Sequence, residues 1–237
     1  MIHLVAAGKL ERPDLVMFAD TGSELPETLA HIQENVVPFC DSLSLPFVTV
    51  KTHLGDLHEY YTKNRRIPMV GIRSCTFNWK IAPQRRAIRE IVGKKNGVLL
   101  AECWLGITTD EERRRTESDV IWQGLRYPLL DDLPMSREDC QKINAEGGFQ
   151  PIKSGCFCCP YAGHSTWMKL KKTHPDLFDA SIKMEELARE RQLEQGRSME
   201  VGLCGGKPLV NLKGQTTLDH LIGIEDSECD ADWGCFI

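Results

Sequence analysis

Leu15-Val16-Met17-Phe18-Ala19-Asp20-Thr21-Gly22 is the stretch that decides the fold. Five apolar residues run without alternation and stop at an acid, a hydroxyl and a glycine. A short continuous apolar run fits a strand buried on both faces, and the polar turn after it reads as the strand's carboxyl end in a parallel sheet. Pro26-Glu27-Thr28 then opens a helix over 26–36, with proline in its first turn and acid near the positive end of the helix dipole.

The same alternation continues outward. Residues 46–51 read as a second strand and 57–64 as a helix. Ile81, Ala87, Ile88, Ile91 and Val92 recur at helical spacing over 81–92. Residues 98–107 form a long apolar run, read as a central strand, and 121–130 hold another. Strands alternating with helices predict an α/β fold with an open parallel sheet. Beyond about residue 133 the pattern turns helical, over 137–145, 164–172 and 176–195. This divides the chain into a nucleotide-binding-type α/β part (1–133), a helical cysteine-rich part of the same domain (134–200) and an irregular cysteine-bearing tail (201–237). Residues 1–10 read as a helix that no strand and no glycine-rich loop precedes.

Composition sets the class. The chain has 237 residues, enough for one large domain with a full core. A net charge of −5 argues against a surface built for non-specific nucleic-acid binding. No secretory signal and no apolar run of spanning length is present, which predicts a cytoplasmic protein with no membrane partner. In a reducing compartment the ten cysteines are metal ligands or reactive thiols more often than disulfides.

Gly155-Cys156-Phe157-Cys158-Cys159-Pro160 carries the strongest chemical signal. Thiols at C-x-x-C spacing reach one metal or one cluster because the tight turn aims both sulfurs inward. A redox dithiol and a buried structural pair are the rival readings. A metal centre needs further ligands. Cys75 is the best distant candidate, Cys229 and Cys235 are others, Cys204 is undecided, and Cys40, Cys103 and Cys140 read as core. His164 reads as a cap or surface residue.

Three polar segments accompany the cysteines. From 63 to 95 the chain carries Lys63, Arg65, Arg66, Arg73, Lys80, Arg85, Arg86, Arg89, Lys94 and Lys95 against Glu90 alone. That local positive field suits phosphate or sulfate groups, or else a solvated helix face. Asp20-Thr21-Gly22-x-Glu24 sits where a ligand binds in open parallel sheets, though such residues also cap helices. Gly106 leads to Asp110, Glu111 and the run Arg113 to Arg115, read as an anion site or as a helix laced with its own ion pairs.

In this order the motifs resemble the PAPS (phosphoadenosine phosphosulfate) reductase-like family of the PP-loop, or adenine nucleotide α-hydrolase-like, superfamily. The likeness runs from about Asp14 to Phe178. Phe18 to Thr28 is similar to the family's second-strand motif at the adenine-nucleotide site. Cys75-x-x-x-x-Lys80-Ile81-x-Pro83-x-Arg85-Arg86 is similar to its cysteine and Lys-x-x-Pro segment. Gly106 with Asp110, Glu111 and Arg113 to Arg115 resembles its Gly…Glu-Ser…Arg segment, and Tyr127-Pro128-Leu129 and Ser154-x-Cys156-x-x-Cys159-Pro160 complete the series.

The resemblance implies a HUP/Rossmann-like sheet binding ATP or a sulfonucleotide. The binding residues it implies are Asp20, Thr21, Gly22, Glu24, Lys80, Arg85, Gly106 and Arg115. It implies a [4Fe–4S] cluster on Cys75, Cys156 and Cys159, with Cys158, Cys229 or Cys235 as the fourth ligand or with one iron left open for sulfur transfer. Zinc is the alternative metal, in a non-enzymatic module that contacts nucleic acid.

Members of the superfamily open with a Ser-Gly-Gly-x-Asp-Ser loop that this sequence lacks. The expectation is either a start codon placed too far downstream or an inactive, truncated product. Glu228-Cys229 loosely resembles the Glu-Cys-Gly tail of sulfonucleotide reductases, which makes Cys229 a candidate catalytic residue, with Cys235 beside it. The acids Asp226, Glu228, Asp230 and Asp232 disfavour a thiolate there, so reduction of PAPS itself is not expected. A tRNA or DNA acceptor, a sulfonucleotide and a small metabolite stay open.

Overall fold

The computed structural model describes residues 1–95, 97–149, 154–197 and 202–214. The chain is α/β. Strand β1 (Val16–Ala19) pairs in parallel with β2 (Phe47–Val50), Val16 opposite Phe47 and Ala19 opposite Val50. Strand β3 (Ala101–Trp104) pairs in parallel with β4 (Gln123–Arg126), Ala101 opposite Gln123. Among the described residues these are two separate two-stranded sheets, not one continuous sheet. The apolar run expected as a central strand is shorter than it reads. Its first residues, Val98 and Leu99, are exposed and lie outside β3.

Helices fill the connections. Helix α1 (Ile2–Ala6) stops before Gly8, which takes φ +66°, so the helix expected over 1–10 is half as long. After β1 come α2 (Pro26–His31), a π-helical turn (Ile32–Val36) and α3 (Val37–Ser42). Helix α4 is Leu57–Lys63. A second π turn (Thr76–Ile81) leads into α5 (Ala82–Val92), which packs on β1 and β2. Both π turns end two residues before a proline, Pro38 and Pro83. Proline has no N–H and its ring crowds the carbonyl four residues back, and a widened turn relieves both. So the first helix outlasts the expected 26–36, and the second helical segment starts before residue 81.

Helices α6 (Pro128–Asp131), α7 (Arg137–Glu146), α8 (His164–Thr173) and α9 (Pro175–Glu194) follow β4. Ser136 and Asp139 close a capping box on α7, each side chain bonding the other's backbone N–H, which fixes its start.

The main core lies between α4, α8, α9 and the segment 203–212. Tyr61, Trp79, Cys158, Trp167, Phe178, Ile182, Leu203 and Leu209 are buried in it. Residues on both sides of position 133 thus share one core. No helix among the described residues is long and apolar enough to cross a membrane.

Buried Glu185 on α9 locks the last segment down. Its two carboxylate oxygens accept from Leu203 N (2.6 Å) and Leu209 N (2.7 Å). Gly202 lets the chain fold back, since a Cβ there would stand 2.0 Å from the Lys207 carbonyl carbon.

Candidate metal centre

The turn that leaves β1 is built by its own polar groups. Asp20 Oδ1 accepts from Gly22 N at 2.7 Å, and Asp20 also pairs with Lys51 at 2.8 Å. Gly22 adopts φ +71°, and any Cβ there would meet Asp56 Oδ1 at 1.9 Å. Glycine is the residue that this close approach and this backbone region allow. Thr21 O accepts from Leu57 N and Ser23 Oγ from His58 N, both at 2.9 Å, so the turn also satisfies the first free N–H groups of α4.

The cysteine loop is laid against this turn as a short antiparallel bridge, Glu24 opposite Cys156. Phe157 N donates to Ser23 O (2.9 Å) and Leu25 N to Gly155 O (3.3 Å). Cys159 N donates to Cys156 O at 3.2 Å, which closes the C-x-x-C turn. Two segments more than a hundred residues apart are thereby fixed to each other through main chain.

Four cysteines share the neighbourhood. Cys158 is fully buried in the main core, and Cys75 and Cys156 pack against that core. Burial raises the Cys158 thiol pKa, and Cys159, Cys75 and Glu24 push it the same way. Burial also holds the Cys156 thiol well above its ordinary range. Glu24 adds to this, while Lys80 and the hydrogen bond shared with Thr21 pull back. Tyr61 joins the group: burial raises its phenol pKa, the Cys75 and Cys158 thiols contribute, and its hydroxyl meets Ser74 Oγ at 3.0 Å.

The donors fit a soft metal or an iron–sulfur cluster. Buried thiols that hold their protons in the bare protein yield them to a metal, because the cation supplies the charge that burial removed. No group of three His, Cys, Asp or Glu among the described residues sits tightly enough for a single ion.

The eight residues expected to bind nucleotide separate into three sets. Thr21, Glu24 and Lys80 are at the cysteine centre. Asp20 and Gly22 build the turn. Arg85, Gly106 and Arg115 lie among partners of their own. Arg85 pairs with Asp119 and donates from Nε to Gln123 Oε1 at 2.8 Å. Arg115 pairs with Asp131 at 2.7 Å and lies over the Tyr127 ring, and Gly106 faces the Met1 side chain. Cys229 and Cys235 lie outside the described residues.

A groove of about 450 Å³, lined by residues including His53, Asp56, Tyr60 and Lys63, opens beyond the carboxyl end of β2. Three apolar residues near Cys75 in the sequence are exposed, Met69 at 47%, Ile72 at 64% and Phe77 at 49%. This segment is tied to the cysteine loop by Gly71 N donating to Tyr161 Oη at 3.0 Å, one residue past the C-x-x-C-P motif.

Sequence reasoning missed Tyr61 and Glu185. The signal for Glu185 was present. An acid stands in the apolar stripe Phe178, Ile182, Glu185 and Ala188, which is placed to face a core.

Among known proteins, no family model, no curated protein and no solved structure matches this chain.

Proposed function

We propose that this chain performs nucleotide-activated sulfur chemistry at a cysteine-ligated iron–sulfur centre, in a PAPS-reductase-like fold of which the two parallel strand pairs are parts. One observation carries the reading. Cys156 touches the turn that leaves the carboxyl end of β1, Cys159 closes the same loop, Cys158 is buried in the adjoining core and Cys75 packs against that core; the carboxyl ends of strands are where open parallel sheets bind their ligands. A [4Fe–4S] centre on these thiols would supply an electron relay or, if three cysteines hold it, one iron free to carry sulfur. The protein's own residues then do the rest. Lys80 favours the thiolate of Cys156, the core around Cys158 excludes water, and the groove after β2 is of a size for the nucleoside part of ATP or a sulfonucleotide.

Anaerobic purification tests this directly. Iron, acid-labile sulfide and visible charge-transfer absorption are expected, together with ATP binding. Colourless protein with stoichiometric zinc supports instead a zinc module that contacts nucleic acid through the basic segment. Protein with no metal and no nucleotide affinity overturns both.

A further inference from the structure

The turn after β1 sends two side chains inward. Thr21 is 1% exposed and Glu24 7%. The Thr21 hydroxyl lies 3.0 Å from Glu24 Oε1 and 3.2 Å from Cys156 Sγ, and Cys156 Sγ lies 3.7 Å from the same Glu24 oxygen. The three groups close a triangle, and the backbone bridge between Glu24 and Cys156 holds it together.

Counting protons shows what the triangle does. A hydroxyl has one proton to give, a thiol one and a carboxylate none. While Cys156 is a thiol, Glu24 accepts from both neighbours and every donor is used. Once Cys156 is a ligand it has no proton, and two negative acceptors face a single donor. Thr21 is then the one member of the triangle able to hydrogen-bond the sulfur, and its hydroxyl touches both that sulfur and the carboxylate.

We propose that Thr21 is a positioning residue of the cysteine centre, its hydroxyl donating to the ligating sulfur of Cys156 with Glu24 as the opposing charge. The proposal rests on the reading of Cys156 as a ligand. It takes Thr21 and Glu24 out of the nucleotide site to which the family resemblance assigned them. Hydrogen bonds to ligand sulfurs and nearby net charge both set the reduction potential of such centres. A donor favours the electron-rich state and a carboxylate disfavours it, so the two side chains act in opposite directions.

The test uses full-length protein reconstituted anaerobically with iron and sulfide. Thr21→Val keeps the shape and removes the proton. It should lower the midpoint potential and speed iron loss to a chelator about tenfold. Thr21→Ser should restore both, and Glu24→Gln should raise the potential. If T21V does not fold, Thr21→Ala takes its place in the comparison with T21S, and E24Q reads the same contact from its other side. Full iron with an unchanged potential in the Thr21 variant, or an unchanged potential in E24Q, overturns the proposal alone. Wild-type protein that takes up no iron overturns the iron–sulfur reading and this proposal together.

Discussion

The turn after β1 and the turn after β3 start alike and end differently. Both leave the carboxyl end of a parallel strand, both carry acids and hydroxyls, and both bury a glutamate, Glu24 at 7% and Glu111 at 2% exposure. Around Glu111 the chain supplies two guanidinium groups, Arg114 at 2.7 Å and Arg137 at 2.9 Å. Asp110 meanwhile accepts from Arg137 N at 2.6 Å. Around Glu24 it supplies a hydroxyl and thiols. A buried carboxylate matched by arginines is structure complete in itself. One set against a hydroxyl and a thiol is matched by neutral donors instead.

On the proposed iron–sulfur reading, substituting the cysteines has the largest effect. Cys156→Ser or Cys159→Ser should cut bound iron to below about a tenth of wild type, whereas Glu111→Gln should leave iron content alone. Metal analysis of the three proteins side by side decides it.

Stability should follow the reverse order. E111Q leaves two guanidinium groups without their shared anion. They are partly exposed, at 18% and 31%, so the cost of losing this buried partner is discounted to about 2 kcal/mol, read from the urea midpoint. A midpoint equal to wild type would show that Glu111 is not the keystone of its turn.

A third buried glutamate adds a pH dependence. Burial raises the Glu185 pKa from its ordinary 4.5 to about 7, against the pull of its two backbone hydrogen bonds. Because the folded state holds this proton more tightly, the unfolded state ionises first. Stability from this group therefore falls as pH rises from about 4.5 to about 7 and is level above, a change on the order of 2 kcal/mol. Glu185→Gln should flatten that slope in urea titrations at pH 5 and pH 8. An identical slope in the variant would count against it.

Gly22→Ala tests the turn's backbone. It forces a Cβ into Asp56 at φ +71° and should cost more than about 1 kcal/mol, part of it recovered with Asp56→Gly. The smallest effect belongs to Arg115→Ala. Its exposed pair with Asp131 should be worth little, and nucleotide affinity should not change. A clear loss of ATP binding would return Arg115 to the nucleotide site.

Much of the fold was legible along the chain. The apolar run before Asp20 became β1, and α4, α7, α8 and α9 begin and end within a residue or two of where periodicity and caps put them. Strands read too long where apolar residues are simply exposed, as at Val98 and Leu99. Helices read too short where a π turn carries the chain into a proline that local rules treat as a stop.

The candidate site was partly legible. Cys156 and Cys159 stand out by their spacing and Cys75 by its place before a basic helix, and the fold packs Cys75 and Cys156 against one core. That Arg85 and Arg115 answer to Asp119 and Asp131 follows from neither, because those carboxylates are set beside them only by the folded chain.

Sequence by itself determined the α/β class and the local grouping of Cys156, Cys158 and Cys159, since both depend on residues near one another along the chain. Tertiary structure decided which way the polar side chains of the turn after β1 face. Thr21 and Glu24 point to Cys156 because a backbone bridge joins segments 132 residues apart, and hydrogen bonds at such separations leave no mark in local pattern.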